Sequence, residues 1–278
     1  MLLASEQHLR INGIEVNVAV AGQGDPVVLL HGWPHTWRVW SEVIPVLAET
    51  HLVLAPDLRG FGQSDRPTSG YDLNTLVDDV IGLIDGFDLP TAKVVGIDLG
   101  APLAFMTALR EPHRVDRLVV MEGLIGRLPG AEAFLAAGPP WWFGFHSVPG
   151  LAETVLVGHE GEYLDWFYRS GTLGRGIPTP IRNAFVQACT GTEGLRGGFE
   201  HYRLMRENAL LIANLVATRK LTVPTLAIGG AAVGEATFRQ LEPIASDVRS
   251  LLIPDGGHIL PLDRPKELLD ALLPFLDG

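Results

Sequence analysis

The stretch Lys93-Val94-Val95-Gly96-Ile97-Asp98-Leu99-Gly100-Ala101-Pro102 constrains this chain more than any other. A short β-branched run ends in Gly-x-Asp-x-Gly, and Leu103 to Arg110 follow with a helix-compatible composition. Strand, sharp turn, helix is the layout of a nucleophile elbow, which thrusts one side chain out at the top of a sheet. Gly96 and Gly100 flank the apex where a Cβ would collide with neighbouring backbone. The apex carries aspartate where an esterase would carry serine. A carboxylate suits attack on saturated carbon: it displaces an epoxide oxygen or a halide and leaves an alkyl ester that water can hydrolyse.

The remaining pattern supplies a scaffold for such a corner. Residues His8 to Ala21 alternate polar and apolar around Asn12-Gly13, as a β-hairpin does. Buried strands are expected over 26–30, 51–55, 115–121, 223–228 and 248–253. Helical spacing runs through Trp37, Trp40, Val43 and Leu47, over 73–87, and over 265–276. From Leu124 to Asn208 the strand–helix alternation stops, and the stretch carries Pro139-Pro140-Trp141-Trp142 and helix-like pieces such as Glu160 to Tyr168. The expectation is an α/β fold: a mostly parallel sheet flanked by helices, built from 1–123 and 209–278, with a helical cap inserted at 124–208.

A chain of 278 residues can bury the core of one such domain. Its formal charge of -11 argues against nucleic acid or an anionic membrane as partner. The single cysteine, Cys189, rules out an internal disulfide and suits a reducing cytoplasm. Met1 to Arg10 lack a basic region followed by an apolar run, so no signal peptide is expected, and no apolar stretch is long enough to span a bilayer. No metal is expected, because the nine histidines show no ligand spacing. Nor is a flavin or nicotinamide cofactor, because Gly60-Phe61-Gly62 is too short and too late for a dinucleotide fingerprint. A homodimer is left open.

Asp98 is the candidate nucleophile, and His258, in Gly256-Gly257-His258 after the last strand, is the candidate base. Neutral imidazole would take a proton from the water that attacks the Asp98 ester. The imidazolium then needs an acid on its other nitrogen. Glu122 follows the strand after the elbow, and Glu235 follows the next strand at a distance; Glu122 is the favoured acid and Glu235 the alternative.

The motifs His31-Gly32-Trp33-Pro34, Asp57-Leu58-Arg59-Gly60-Phe61-Gly62-Gln63-Ser64-Asp65, the Asp98 elbow and Gly256-Gly257-His258 run in one order across nearly the whole chain. The cap adds Trp141-Trp142 through Glu153 and Phe199-Glu200-His201-Tyr202-Arg203. Together they resemble the α/β-hydrolase fold, and within it the epoxide hydrolase and haloalkane/haloacetate dehalogenase branch. The paired cap tryptophans with a downstream tyrosine are similar to epoxide-opening enzymes that tailor aromatic polyketides.

The resemblance implies that the backbone N–H groups of Trp33 and Leu99 form the oxyanion hole. It implies a structural His31, with Asp57 and Arg59 bracing the neighbouring loop as an exposed ion pair of little energy. Trp141, Trp142 and Tyr202 are expected to bind substrate, although cap aromatics commonly just pack. An indole N–H or phenol O–H can hold an epoxide oxygen as it becomes an alkoxide, and only tyrosine can also give up its proton. Leu99 and Pro102 stand where dehalogenases carry halide- or carboxylate-binding side chains, which favours an uncharged, apolar substrate. Phe134, Phe143, Phe145, Trp166 and Phe167 fit a large hydrophobic pocket, polycyclic substrates included. The expected protein is therefore a cofactor-independent epoxide hydrolase acting on a small hydrophobic epoxide. The alternatives are a dehalogenase with the same nucleophile and a ligand-binding protein on the same fold.

Overall fold

A computed structural model of the chain describes residues 4–278, so the first three residues of the segment read for a leader lie outside the described residues. The chain opens with β1 (Ser5–Ile11) and β2 (Ile14–Ala21), an antiparallel pair turning at Asn12-Gly13. Both turn residues take left-handed backbone, φ 46° and 81°, which matches the twist of a two-residue hairpin. There follow β3 (Asp25–Leu30), the one-turn α1 (Ile44–Leu47), β4 (His51–Pro56), α2 (Leu73–Gly86), β5 (Ala92–Ile97), α3 (Gly100–Arg110) and β6 (Val115–Met121). The helical spacing from Trp37 gives a 3-10 turn, Trp37–Trp40, and then the separate α1, which has Pro45 in its first turn.

Six helices come next: α4 (Trp141–Ser147), α5 (Leu151–Leu156), α6 (Glu160–Ser170), α7 (Thr179–Ala188), α8 (Gly191–Arg203) and α9 (Met205–Val216). The last of these runs straight across the junction expected at 208/209. The chain closes with β7 (Thr225–Gly229), α10 (Ala236–Leu241), β8 (Val248–Leu252), α11 (Leu260–Asp263) and α12 (Pro265–Asp277).

The eight strands form one sheet in the order β1-β2-β4-β3-β5-β6-β7-β8. Pairing is antiparallel from β1 to β4 and parallel from there on. The strands β5 and β7 are buried at every position, and β3 and β6 along their C-terminal halves. That is why they read as unbroken apolar runs: helices cover both faces. Parallel pairing has a second effect. It brings the carboxyl ends of β3, β5, β6 and β7 to one edge, where such sheets bind their ligands. Among the described residues, no helix is long and apolar enough to cross a membrane.

Candidate active site

Asp98 sits directly after β5 with φ 54°, a strained conformation for a residue with a side chain. The elbow closes because its flanking glycines have no Cβ. One on Gly96 would lie 2.1 Å from the Gly100 carbonyl oxygen, and one on Gly100 2.3 Å from that of Leu30. The Asp98 carboxylate accepts a hydrogen bond at Oδ1 from the Trp33 backbone N–H, 2.8 Å away. Its Oδ2 lies 3.3 Å from His258 Nε2.

The other ring nitrogen, Nδ1, lies 3.2 Å from Glu122 Oε2. Glu122 is wholly buried and follows β6 at once, also with positive φ, 47°. Its Oε1 accepts from the Gly230 N–H, and the Val233 N–H lies 3.3 Å from each carboxylate oxygen. The loop after β7 thus carries no acid before Glu235, at its far end, and instead gives its backbone donors to Glu122. Glu235 is elsewhere, exposed and paired with Arg239 at 2.7 Å.

Burial alone would raise the Asp98 carboxyl, but the hydrogen bond and charge of His258 and the Leu99 backbone N–H outweigh it, so the group sits below its ordinary value. Burial works the other way on His258 and lowers it. Hydrogen bonds and charges from Asp98 and Glu122 overcome that, and the imidazole is raised to about 10. The resting arrangement is an imidazolium held between two carboxylates.

Above this trio lies a cavity of about 250 Å³, walled by Leu99, Pro102, Phe134, Trp142, Phe143 and Phe167 among others. Tyr202, on α8, lines it and is buried. Burial, with the Asp98 charge adding to it, pushes the phenol well above its usual pKa, so it stays a neutral donor. The two tryptophans part company. Trp142 lines the cavity, but Trp141 is 54% exposed and is absent from its wall. Its ring instead lies 5.8 Å from those of Trp142 and Trp166. The expectation that Trp141 binds substrate is therefore corrected: the first turn of α4 puts Trp142 and Phe143 inward and Trp141 out. Phe145, one helical turn on from Trp141, is also absent from the wall.

The loop brace also differs from expectation. Asp57 is buried and accepts from the Trp37 and Gln63 backbone N–H groups and from Asn17, each at 2.9 Å. Arg59 does not pair with it. Its guanidinium grips Asp79 of α2 in a partly buried, bidentate pair, both contacts at 2.7 Å. His31 bridges two loops: Nδ1 lies 2.9 Å from the Gly32 carbonyl, and Nε2 accepts from the Leu58 N–H.

Two histidines near the site carried no signal in the sequence. His146, on α4, is fully buried, 4.6 Å from the Tyr202 ring and stacked on Phe199 at 4.4 Å. Its Nε2 lies 2.6 Å from the Tyr163 hydroxyl, and burial lowers its pKa to about 3, so the ring is neutral. His35, two residues beyond Trp33, lines the cavity itself. A lone histidine after a turn or an aromatic run has no spacing to mark it. Among the described residues, no cluster of His, Cys, Asp or Glu is placed to hold a metal ion.

Comparison with known proteins adds the following. The alpha/beta hydrolase fold family matches residues 25–265. The soluble epoxide hydrolase of Corynebacterium sp. (strain C12) is 31% identical over 274 residues, covering 95% of this chain and 94% of that protein. Epoxide hydrolase A of Mycobacterium tuberculosis is 30% identical over 315 residues, covering 99% and 98%. The solved structure of the epoxide hydrolase CorEH without ligand superposes with a TM-score of 0.89 at 29% identity, over 99% of both chains.

Proposed function

The chain belongs to the α/β-hydrolase fold family and is a hydrolase of its epoxide-hydrolase branch, and on that footing we propose that it opens a small hydrophobic epoxide to a diol through an Asp98 alkyl ester. The observation that carries this reading is the Asp98 carboxylate in the cavity wall, with one oxygen held by the Trp33 N–H and the other beside His258 Nε2. Oδ2 attacks a ring carbon, the C–O bond of the epoxide breaks, and Tyr202 gives its proton to the departing oxygen. Trp142 lines the pocket for the apolar part of the substrate.

Esterification then changes the neighbouring base. Asp98 loses its charge, so one of the two groups that hold the proton on His258 disappears. The imidazole falls back toward its ordinary value near 6.5, gives up its proton, which restores the Tyr202 phenol, and can then accept another. Water attacks Cγ of the ester and passes its proton to Nε2. The Trp33 and Leu99 N–H groups stabilise the oxyanion and Glu122 stabilises the imidazolium. Collapse breaks the acyl–oxygen bond, and His258 Nε2 gives its proton to the departing alkoxide to complete the diol. The Asp98 carboxyl proton then returns to the imidazole.

The cavity also speaks to substrate size. At about 250 Å³ it falls below the ~300–1,000 Å³ usual for drug-sized ligands, which favours a compact aryl or alkyl epoxide over a polycyclic aromatic one. A single turnover in heavy-oxygen water tests the mechanism. The expected result is label in the Asp98 carboxylate and none in the first equivalent of diol. Label appearing directly in that diol would exclude the covalent route, and halide release from alkyl halides with no turnover of epoxides would favour dehalogenation.

A further inference from the structure

We infer that Arg175, in the turn joining α6 to α7, is a positioning residue for His258: through Asp263 it fixes the loop that carries the imidazole, and so governs hydrolysis of the Asp98 ester. The inference rests on the covalent mechanism above and deepens its second half. His258 lies in the loop between β8 and α11, not in a helix or strand. Its ring meets Asp98 at 3.3 Å and Glu122 at 3.2 Å, both long for hydrogen bonds between charged groups. A small displacement of the loop would therefore break one contact or both. The ring contacts alone do not hold the loop in register.

The backbone on each side of His258 is held instead. The Ile259 N–H donates to the Gly171 carbonyl at 3.0 Å, and the Gly257 N–H donates to Asp263 Oδ2 at 2.7 Å. Asp263 belongs to α11, and its side chain is 1% exposed. Arg175 takes both of its oxygens, Nε to Oδ1 at 2.6 Å and Nη2 to Oδ2 at 2.5 Å. Nη2 also donates to the Asp255 carbonyl at 2.9 Å. One guanidinium thus grips the histidine loop at two points, Asp255 directly and Gly257 through Asp263. The fit leaves no slack, because a Cβ on Gly257 would lie 2.2 Å from the Gly171 carbonyl oxygen.

The turn that presents Arg175 is itself well fixed. Thr172 is wholly buried, and its hydroxyl donates to the Tyr168 carbonyl and accepts from the Gly176 N–H, each at 2.7 Å. The Gly174 N–H closes on the Arg169 carbonyl at 2.7 Å, and the Arg175 N–H on that of Thr172 at 3.1 Å. Ser170 and Gly171, just before the turn, wall the catalytic cavity, so the ion pair ties that wall to the base. A planar fork holds a carboxylate in direction as well as in place. Among the described residues, the Asp263 carboxylate has no partner besides Arg175 and the Gly257 N–H. Without the guanidinium it would be a buried charge with one donor, and turning to water would release Gly257. Misplacing a proton acceptor by a fraction of an ångström slows the step it serves. Ring opening, which needs Asp98 and Tyr202, would be spared.

The test follows single turnovers of styrene oxide with enzyme in excess, the alkyl-enzyme being measured by intact mass in wild type, Arg175→Gln, Asp263→Asn and the double variant. Arg175→Gln is expected to form the ester at a rate within about twofold of wild type but to hydrolyse it about tenfold more slowly, so the adduct accumulates. The double variant should hydrolyse no more slowly than Asp263→Asn alone, because the arginine acts through that carboxylate. Arg182→Gln is the control: it removes another bidentate arginine, paired with Asp165 at 2.8 and 2.9 Å, and should alter neither step. A second readout needs no substrate. NMR titration of the His258 ring in Arg175→Gln should give a pKa lowered from about 10 by about 1, as the imidazolium loses its hold on the two carboxylates. Arg175 is partly exposed, so both of its readouts stand even if Asp263→Asn does not fold. Wild-type hydrolysis in Arg175→Gln, equal slowing of both steps, losses that multiply in the double variant, or an unchanged titration overturns the inference. Failure of the covalent mechanism looks different: wild-type Asp98 never gains mass, while the titration still reads whether Arg175 holds the ring.

Discussion

His258 owes its character to two carboxylates on opposite sides of one ring, and that makes its titration a probe of the site. Asp98→Asn removes one of them. In that variant the imidazole pKa should drop from about 10 toward its ordinary ~6.5, read by NMR of the ring protons. An unchanged titration would mean that Asp98 does not hold the proton. Glu122→Gln should slow ester hydrolysis by ~10²–10⁴-fold, whereas Glu235→Gln, at an exposed pair with Arg239, should leave both steps unaltered in the same rapid-quench measurement. Asp98 and Glu122 were legible in the sequence because each follows a buried strand at once, and His258 because it follows a Gly-Gly after the last one. The Arg59–Asp79 pair was not legible, because its partner lies a helix away and nothing in the motif points to it.

The roof depends on α8, which carries Tyr202 and rests directly on the core. At Gly197 there is no room for a side chain: a Cβ would lie 2.1 Å from the Gly60 carbonyl oxygen. Gly197→Ala should therefore lift the helix, cost about 1–3 kcal/mol in thermal unfolding and slow ring opening as Tyr202 withdraws. Gly144→Ala, in α4 with nothing near its Cβ, is the matched control and should leave both unchanged or raise stability slightly. Strands were easier to place than this layer. A strand buried on both faces reads as an apolar run, but the cap helices are short, aromatic on several faces and packed on one another, so periodicity did not separate Trp142 from Trp141. The end of the cap was blurred for a related reason: α9 continues across it without a break.

Acid and alkali should each weaken the folded chain, through different histidines. Burial pushes His35 and His146 down to about 3 and His201 to about 4. An unfolded chain binds protons at these rings near pH 6.5, so stability is lost as the pH falls below that value, by ~1.4 kcal/mol per unit per histidine. His258 has the opposite sign. Its raised pKa gives a contribution fully present below about 6.5 and lost as the pH climbs through about 10. Urea midpoints should accordingly peak near neutrality, fall more steeply on the acid side, and lose part of the alkaline decline in Asp98→Asn. Glu122 has a consequence of another kind. It follows β6 at once, ahead of the polypeptide's departure for the helices α4 to α9, and it is also the group that orients the imidazole. Whoever grafts a roof from a relative onto this base must therefore cut downstream of that junction, since a splice even one residue early would exchange the lid and unseat the proton relay in the same stroke.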